Sequence, residues 1–151
     1  MLYYHIRNKE DLLYQCFRRT LDLIGEMIKR ADEDGNNGAE KIERVLRYLF
    51  NIQHSDEGPL IGYRSLPSLS MERRTEILSL TQASSDQLGA FITEGIADGS
   101  ISDVDPWIIE NAIAGTVDAA PDIATHMNFT NNSQVSAEYL ELFFNGIANR
   151  S

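Results

Sequence analysis

The chain has 151 residues, of which 42% are hydrophobic and 24% charged, and this fits one folded domain with a real core. Its one cysteine, Cys16, excludes an internal disulfide, and no apolar run is long enough to cross a membrane, so we expect a cytoplasmic protein with no membrane partner. Residues 1–30 carry six basic and four acidic side chains, a charge of +2. Because the net charge of the whole chain is −10, the remaining residues carry a charge of −12. A duplex would repel that remainder, so any nucleic-acid contact belongs to the first residues.

The first predicted helix begins after Asn8, whose side chain can cap it, and Asp11 stands where a capping-box acid belongs. Apolar residues recur at helical spacing until the stretch "DEDGNNG" ends the helix. A second amphipathic helix is predicted from about Ala39. Residues 54–70 contain prolines and glycines together with apolar side chains, which predicts a short helix or a packed loop.

A long helix is predicted over Met71–Asp98, with Gly99 as its stop signal. Asp105 as a cap and Pro106 at the first helical position then predict the start of the next helix. Its interior is unusually rich in alanine and glycine, which permits close approach of another helix. Pro121 is expected to kink or break it.

The last predicted helix starts near Ser133 or Ser136 and is apolar on two sides, so it needs two partners. One partner is its own domain, and the other is expected to be a second copy of the chain. Symmetric pairing of the final two helices then predicts a homodimer with a four-helix interface. The residues assigned to that interface are Ala114, Val117, Asp118, Pro121, Tyr139, Leu142, Phe143 and Gly146.

No convergent set of catalytic groups is visible in the sequence, so we expect no enzyme and no cofactor. Asp122 and His126 have the spacing of two metal ligands on a helix, but two ligands are too few, and we expect no metal. Cys16 lies on an apolar stripe, where an inert thiol is the expectation.

The opening stretch "LYYHIRNKEDLL" resembles the end of the helix-turn-helix in TetR-family transcriptional regulators, followed by the entry into their effector domain. Ile6 departs from the Phe or Val common in that family. Further along, "ITEGIADGSISDVDPWIIENAIAGTVDAA" is similar to the family's glycine step, Asp-Pro helix start and small-residue helix. The two stretches cover about the first twenty-five residues and residues 91–120.

The resemblance implies an all-α fold, with residues 1–8 as the end of a truncated helix-turn-helix domain and residues 9–151 as the ligand-binding and dimerisation domain. It implies that Tyr3 and His5 contact the DNA backbone and that Lys9 holds a phosphate. Such contacts position a protein without reading sequence, so operator binding is expected only of a full-length form. The implied function is a ligand-responsive regulator, acting as a repressor.

An all-helical effector domain can enclose an apolar cavity in which a few polar groups orient a small apolar or amphipathic ligand. We expect such a cavity between the helices near residues 12–30, 39–54, 72–98 and 106–120. The candidate lining residues are Phe17, Leu21, Ile24, Phe50, Gln53, His54, Tyr63, Ser84, Gln87 and Phe91. Plain core packing is the competing interpretation of the aromatic ones. The alternative function is a helical small-molecule-binding or partner-binding protein with no DNA-binding activity of its own.

Overall fold

The structure, a computed structural model, describes residues 7–53, 55–126 and 132–147, with side chains not described at 121–126, 132–136 and 147. In these segments the secondary structure is helical and contains no β-strand. The helices are α1 (Lys9–Asp34), α2 (Gly38–Gln53), α3 (Met71–Asp98), α4 (Pro106–His126) and α5 (Asn132–Ile147), with a short 3-10 helix at Tyr63–Ser68. The predicted all-α fold is confirmed.

The helix ends follow the local sequence signals. The Asp11 amide donates to Asn8 Oδ1 at 2.9 Å, which is the predicted cap of α1. Gly99 has a φ of 82°, the left-handed conformation that ends α3. The Trp107 amide donates to Asp105 Oδ1 at 3.0 Å at the start of α4. Each of these bonds or turns satisfies backbone groups that a helix terminus leaves open.

α4 runs as one helix to His126, so the expected break at Pro121 does not occur. Proline removes a single backbone donor, and the turns on either side keep theirs, so a helix that is docked on its neighbours can continue. α4 packs on both α2 and α3, which supplies that support. The last helix begins at Asn132, slightly before the predicted start.

Most of the buried side chains form one core around α2, which contacts each of the other four α-helices. Ile42, Leu46 and Phe50 of α2 are almost completely buried there. A smaller second core holds Phe17 of α1 and Ile77 of α3 under the segment that contains the 3-10 helix. The space between the two cores is where the candidate site lies. Among the helices of the described segments, none is long and apolar enough to cross a membrane.

Candidate functional site

A cavity of about 280 Å³ lies between α1, α2, α3 and α4, the four helices between which the sequence predicted one. Aliphatic side chains from three of these helices form its inner wall. They are Leu21, Ile24 and Met27 of α1, Val45 and Leu49 of α2, and Ile113 and Val117 of α4. The volume is close to the lower end of the roughly 300–1,000 Å³ typical of ligand sites.

Polar side chains line the part of the cavity formed by α3 and by the start of α4. Thr81 and Ser84 of α3 lie there, and the Tyr63 hydroxyl is 3.2 Å from Thr81 Oγ1. Trp107 and Glu110 of α4 line the cavity as well. Because Trp107 is 66% exposed, it marks the mouth where the cavity meets solvent. The cavity thus has an apolar interior and a polar entrance.

A smaller side chamber of about 20 Å³ adjoins the main cavity at residues that line both spaces: Leu21, Ile24, Leu49, Tyr63 and Val117. Its polar residues are Thr20, Gln53 and Asp118. Gln53 is only 5% exposed, and its Oε1 accepts the Leu60 amide at 2.9 Å. Asp118 Oδ1 accepts the Tyr63 amide at 3.1 Å, and Thr20 Oγ1 accepts the Ile61 amide at 3.4 Å. These three bonds hold the segment 60–63 against α1, α2 and α4.

The structure brings together six of the candidate pocket residues. Leu21, Ile24 and Tyr63 line both spaces, Ser84 lines the main cavity, and Phe17 and Gln53 line the side chamber. His54 lies outside the described residues, as do Tyr3 and His5 of the candidate DNA contacts. Lys9 is exposed at the first turn of α1.

Phe50, Gln87 and Phe91 do not line the cavity. Phe50 packs in the core with its ring 5.2 Å from that of Tyr139. Gln87 and Phe91 lie in a groove on the other side of α3, where that helix crosses α1. Along α3 the cavity ends at Leu88, which also packs against the main core, and Phe91 lies beyond the cavity within that core.

Three residues assigned to the dimer interface also line the two spaces described above. Ala114 and Val117 line the main cavity, and Asp118 lines the side chamber. The side of α4 that faces solvent instead carries Ile108, Ala112 and Gly115. Helical spacing fixed which residues share a face of α4, but only the docking of α4 on α2 decides which face turns inward.

On α5, Leu142 is 76% exposed and Gly146 is also exposed. Tyr139 and Phe143 are half-buried and pack against the main core. The Pro121 side chain lies outside the described part of the chain. The exposed positions of α4 and α5 thus include the apolar or small residues Ile108, Ala112, Gly115, Leu142 and Gly146, beside charged ones such as Glu110 and Glu141.

The first turns of α1 and α3 are joined by a polar cluster that the sequence did not reveal. Arg73 forms an ion pair with Asp11 at 2.6 Å and lies 4.7 Å from the centre of the Tyr14 ring. Tyr14 and Arg18 both donate to the Glu76 carboxylate, at 2.8 Å and 2.7 Å. The Arg73 guanidinium is the main cause that lowers the pKa of Asp11. Partners some sixty residues apart carry no local signal, so this cluster had to be seen in three dimensions.

Within the part of the chain whose side chains are described, no group of three or more His, Cys, Asp or Glu side chains is placed to hold a metal ion. The side chains of Asp122 and His126 lie outside it. Cys16, expected on a buried stripe, is exposed.

The fold is an all-α domain with a cavity between four of its helices, and comparison with known proteins gives the family. Residues 35–122 match the model of the Tetracyclin repressor-like, C-terminal domain family, so the chain belongs to the TetR family of transcriptional regulators, a family that is typically not enzymatic. The resemblance seen in the sequence is confirmed.

Individual relatives agree with this assignment. The chain is 28% identical over 160 aligned residues to the fatty acid metabolism regulator protein of Bacillus subtilis (strain 168), covering 99% of this chain and 78% of that protein. A regulatory protein in the tetR family from Rhodococcus RHA1 superposes with a TM-score of 0.78 at 18% identity, covering 99% of this chain and 80% of that one. The ketosteroid transcriptional regulator KstR2 of Mycobacterium tuberculosis superposes with a TM-score of 0.79 at 20% identity, covering 99% of this chain and 78% of that one. The two structures support the fold alone.

Proposed function

We propose that this chain is the effector-binding and dimerising part of a ligand-responsive TetR-type repressor. The observation that carries the proposal is the cavity of about 280 Å³ between α1, α2, α3 and α4. Its apolar interior and polar entrance fit an amphipathic ligand, whose apolar part loses contact with water on binding. The protein would act in the cytoplasm.

The effector class we propose is a molecule with a flexible apolar chain. The walls of the inner cavity are aliphatic, as at Ile24, Leu49 and Ile113. Burial of methylene groups against such walls stabilises the bound ligand without fixing the orientation of its chain. The curated relative from Bacillus subtilis is named as a regulator of fatty acid metabolism, which points to the same chemistry.

α1 is the element through which the ligand would act on DNA binding. Leu21, Ile24 and Met27 near the middle of α1 line the cavity, and its first turn follows the residues that resemble the end of a recognition helix. A ligand shifts an equilibrium only if it favours one of two arrangements, so we propose that occupancy favours an α1 position unsuited to the operator. In a full-length form, Tyr3, His5 and Lys9 would contact operator phosphates.

Trp107 offers a direct test of ligand binding, because it is the single tryptophan of the chain and lines the mouth of the cavity. Primary alcohols from hexanol to dodecanol are titrated while its fluorescence is recorded. Each buried methylene contributes about 0.8 kcal/mol, so affinity should rise about fourfold per carbon and level off when the chain outgrows the cavity.

A pair of neighbouring variants supplies the control. Ser84→Phe puts an aromatic ring into the cavity and should abolish the titration, whereas Ala83→Phe places the same ring on an exposed position of α3 and should leave it intact. Absence of saturable binding at every chain length, in a protein whose circular dichroism is that of a folded helical domain, would refute the effector assignment.

A further inference from the structure

Gln53 has a buried donor that the described protein atoms leave unused. The side chain is 5% exposed, yet its Nε2 has no hydrogen-bond partner among the described residues. Leaving a buried polar group unpaired costs about 1–3 kcal/mol, so buried amide donors nearly always have a partner. Gln53 is part of the wall of the side chamber, which is the space in which a partner can lie.

The orientation of this amide is fixed by its other half. Gln53 Oε1 accepts the Leu60 amide at 2.9 Å. If the amide were turned over, Nε2 would face a backbone N–H and two donors would meet, so the oxygen must point to Leu60. Nε2 is therefore the atom left to donate to a group in the chamber.

Asp118 supplies an acceptor to the same chamber. One of its oxygens accepts the Tyr63 amide at 3.1 Å, and a carboxylate has about four lone-pair sites, so further acceptor capacity remains. The chamber measures about 20 Å³, and about 10–15 Å³ is needed to hold one water-sized group. The chamber therefore has room for one water-sized group between walls that include Gln53 and Asp118.

We propose that the side chamber binds the terminal hydroxyl of the effector, while the apolar chain of the same molecule lies in the main cavity. Gln53 Nε2 donates to the hydroxyl oxygen, and the Asp118 carboxylate accepts the hydroxyl proton. The two spaces adjoin at Leu49, Tyr63 and Val117, so one ligand can occupy both. This inference rests on the proposed function and names the head group that the site selects.

The same arrangement discriminates against a free fatty acid. A ligand carboxylate in the chamber would accept from Gln53, but it would also meet the like-charged carboxylate of Asp118 away from bulk water. An ether oxygen would accept from Gln53 but could not donate to Asp118. Of these three head groups, the hydroxyl alone accepts from Gln53 and donates to Asp118 without adding charge.

The test compares three probes of equal chain length by Trp107 fluorescence: decanol, decyl methyl ether and decanoate. Wild-type protein should bind decanol at least about tenfold more tightly than decanoate, because a hydrogen bond to a charged group contributes about 1.5–3 kcal/mol. Asp118→Asn keeps an oxygen for the Tyr63 amide and removes the charge, so it should narrow that preference by raising the affinity for decanoate.

Gln53→Met removes the donor, and with it the acceptor of the Leu60 amide, and should weaken decanol binding about tenfold. The gain per added carbon should stay the same, because Gln53 does not line the main cavity. Gln87→Met, on an exposed position of α3 outside both spaces, is the matched control and should change nothing. If wild-type protein binds decanol and decanoate equally and the chain-length series is intact, the chamber holds solvent only. That result overturns the head-group site and leaves the cavity assignment standing. If none of the probes binds, both proposals fail.

Discussion

Asp98 shows how a single carboxylate can secure two helix ends. Its oxygens accept the Gly38 amide at 3.0 Å, at the start of α2, and the Ser100 amide at 2.8 Å, just after α3. The hydrogen bond from the Ser100 side chain is the largest cause that lowers the pKa of Asp98 below its ordinary 3.8, followed by the bonds from the two amides. A carboxyl with a lowered pKa in the folded state stabilises the fold above its ordinary pKa and loses that contribution as pH falls below it.

Asp98→Ala should therefore lower the free energy of unfolding at neutral pH, and the difference from wild type should shrink as the pH falls below about 3.8. Urea unfolding measured over a pH series gives both curves. Asp103→Ala, which removes an exposed carboxylate from the next loop, serves as the control and should lower stability less at neutral pH. A difference between wild type and Asp98→Ala that does not change with pH would contradict the role of the charged form.

Arg73 is the residue that should set the titration of Asp11. The guanidinium hydrogen bond to that carboxyl is the largest cause of its lowered pKa, and the Arg7 amide adds a second bond. In Arg73→Met the pKa of Asp11 should rise toward its ordinary value of 3.8, because only the weaker cause remains. Carboxyl chemical shifts followed by NMR against pH measure the change. Asp98, which has a different set of partners, should titrate as in wild type, and a shift of both groups would indicate general unfolding instead.

At the scale of single helices, substitution of glycine by alanine is expected to have opposite effects on the free energy of unfolding at two positions, Gly38 and Gly25. A Cβ on Gly38 would overlap the Gly95 amide nitrogen and the Phe91 carbonyl oxygen, because the start of α2 lies directly on the backbone of α3. A Cβ on Gly25, in the middle of α1, would meet nothing. Gly38→Ala should lower the free energy of unfolding by about 1–3 kcal/mol or more, whereas Gly25→Ala should raise it by about 0.5–1 kcal/mol. Thermal unfolding of the two variants tests both signs, and equal effects would contradict the close approach of α2 and α3.

Helix existence and helix ends were predictable because their causes are local. Asn8, Gly99 and Asp105 act on backbone groups within a few residues, and the structure places each of them as expected. Pro121 was the exception among local signals, since a helix packed on two neighbours tolerates one missing donor.

The faces of the helices were less predictable, because an apolar stripe shows that a face is buried without showing what covers it. Phe91 and Leu88 belong to one stripe of α3 and both pack on the main core, yet only Leu88 also lines the cavity. Val117 and Asp118, predicted at a dimer interface, also line the side chamber, which helical spacing alone did not indicate. The Asp11–Arg73 ion pair and the Gln53–Leu60 hydrogen bond depend on the fold of residues far apart or in an irregular loop.

In the molecule as a whole, α1 is the element shared by all the features that bear on regulation. Its first turn is tied to α3 by Asp11 and Arg73, and its middle lines both the cavity and the side chamber through Leu21 and Ile24. A ligand that pushes on the middle of a helix moves its ends as well, because a helix is stiff along its axis. The proposed effector response therefore needs no mobile loop between the site and the start of α1.

The oligomeric state is the prediction that belongs to the whole molecule. Leu142 is 76% exposed on α5, and Ile108 is exposed on α4. Ala112 and Gly115, also exposed on α4, are small enough to allow another helix close approach. Exposed apolar surface of this kind is typically covered by a partner, and symmetric pairing uses the same surface on both copies.

Sedimentation equilibrium should give twice the chain mass of 17.0 kDa. Leu142→Glu should restore the single mass and lower the melting temperature, since the partner stabilises the fold. Leu78→Glu, on an exposed position of α3, is the matched control and should stay dimeric, whereas a wild-type mass of 17.0 kDa at micromolar concentration would rule the dimer out.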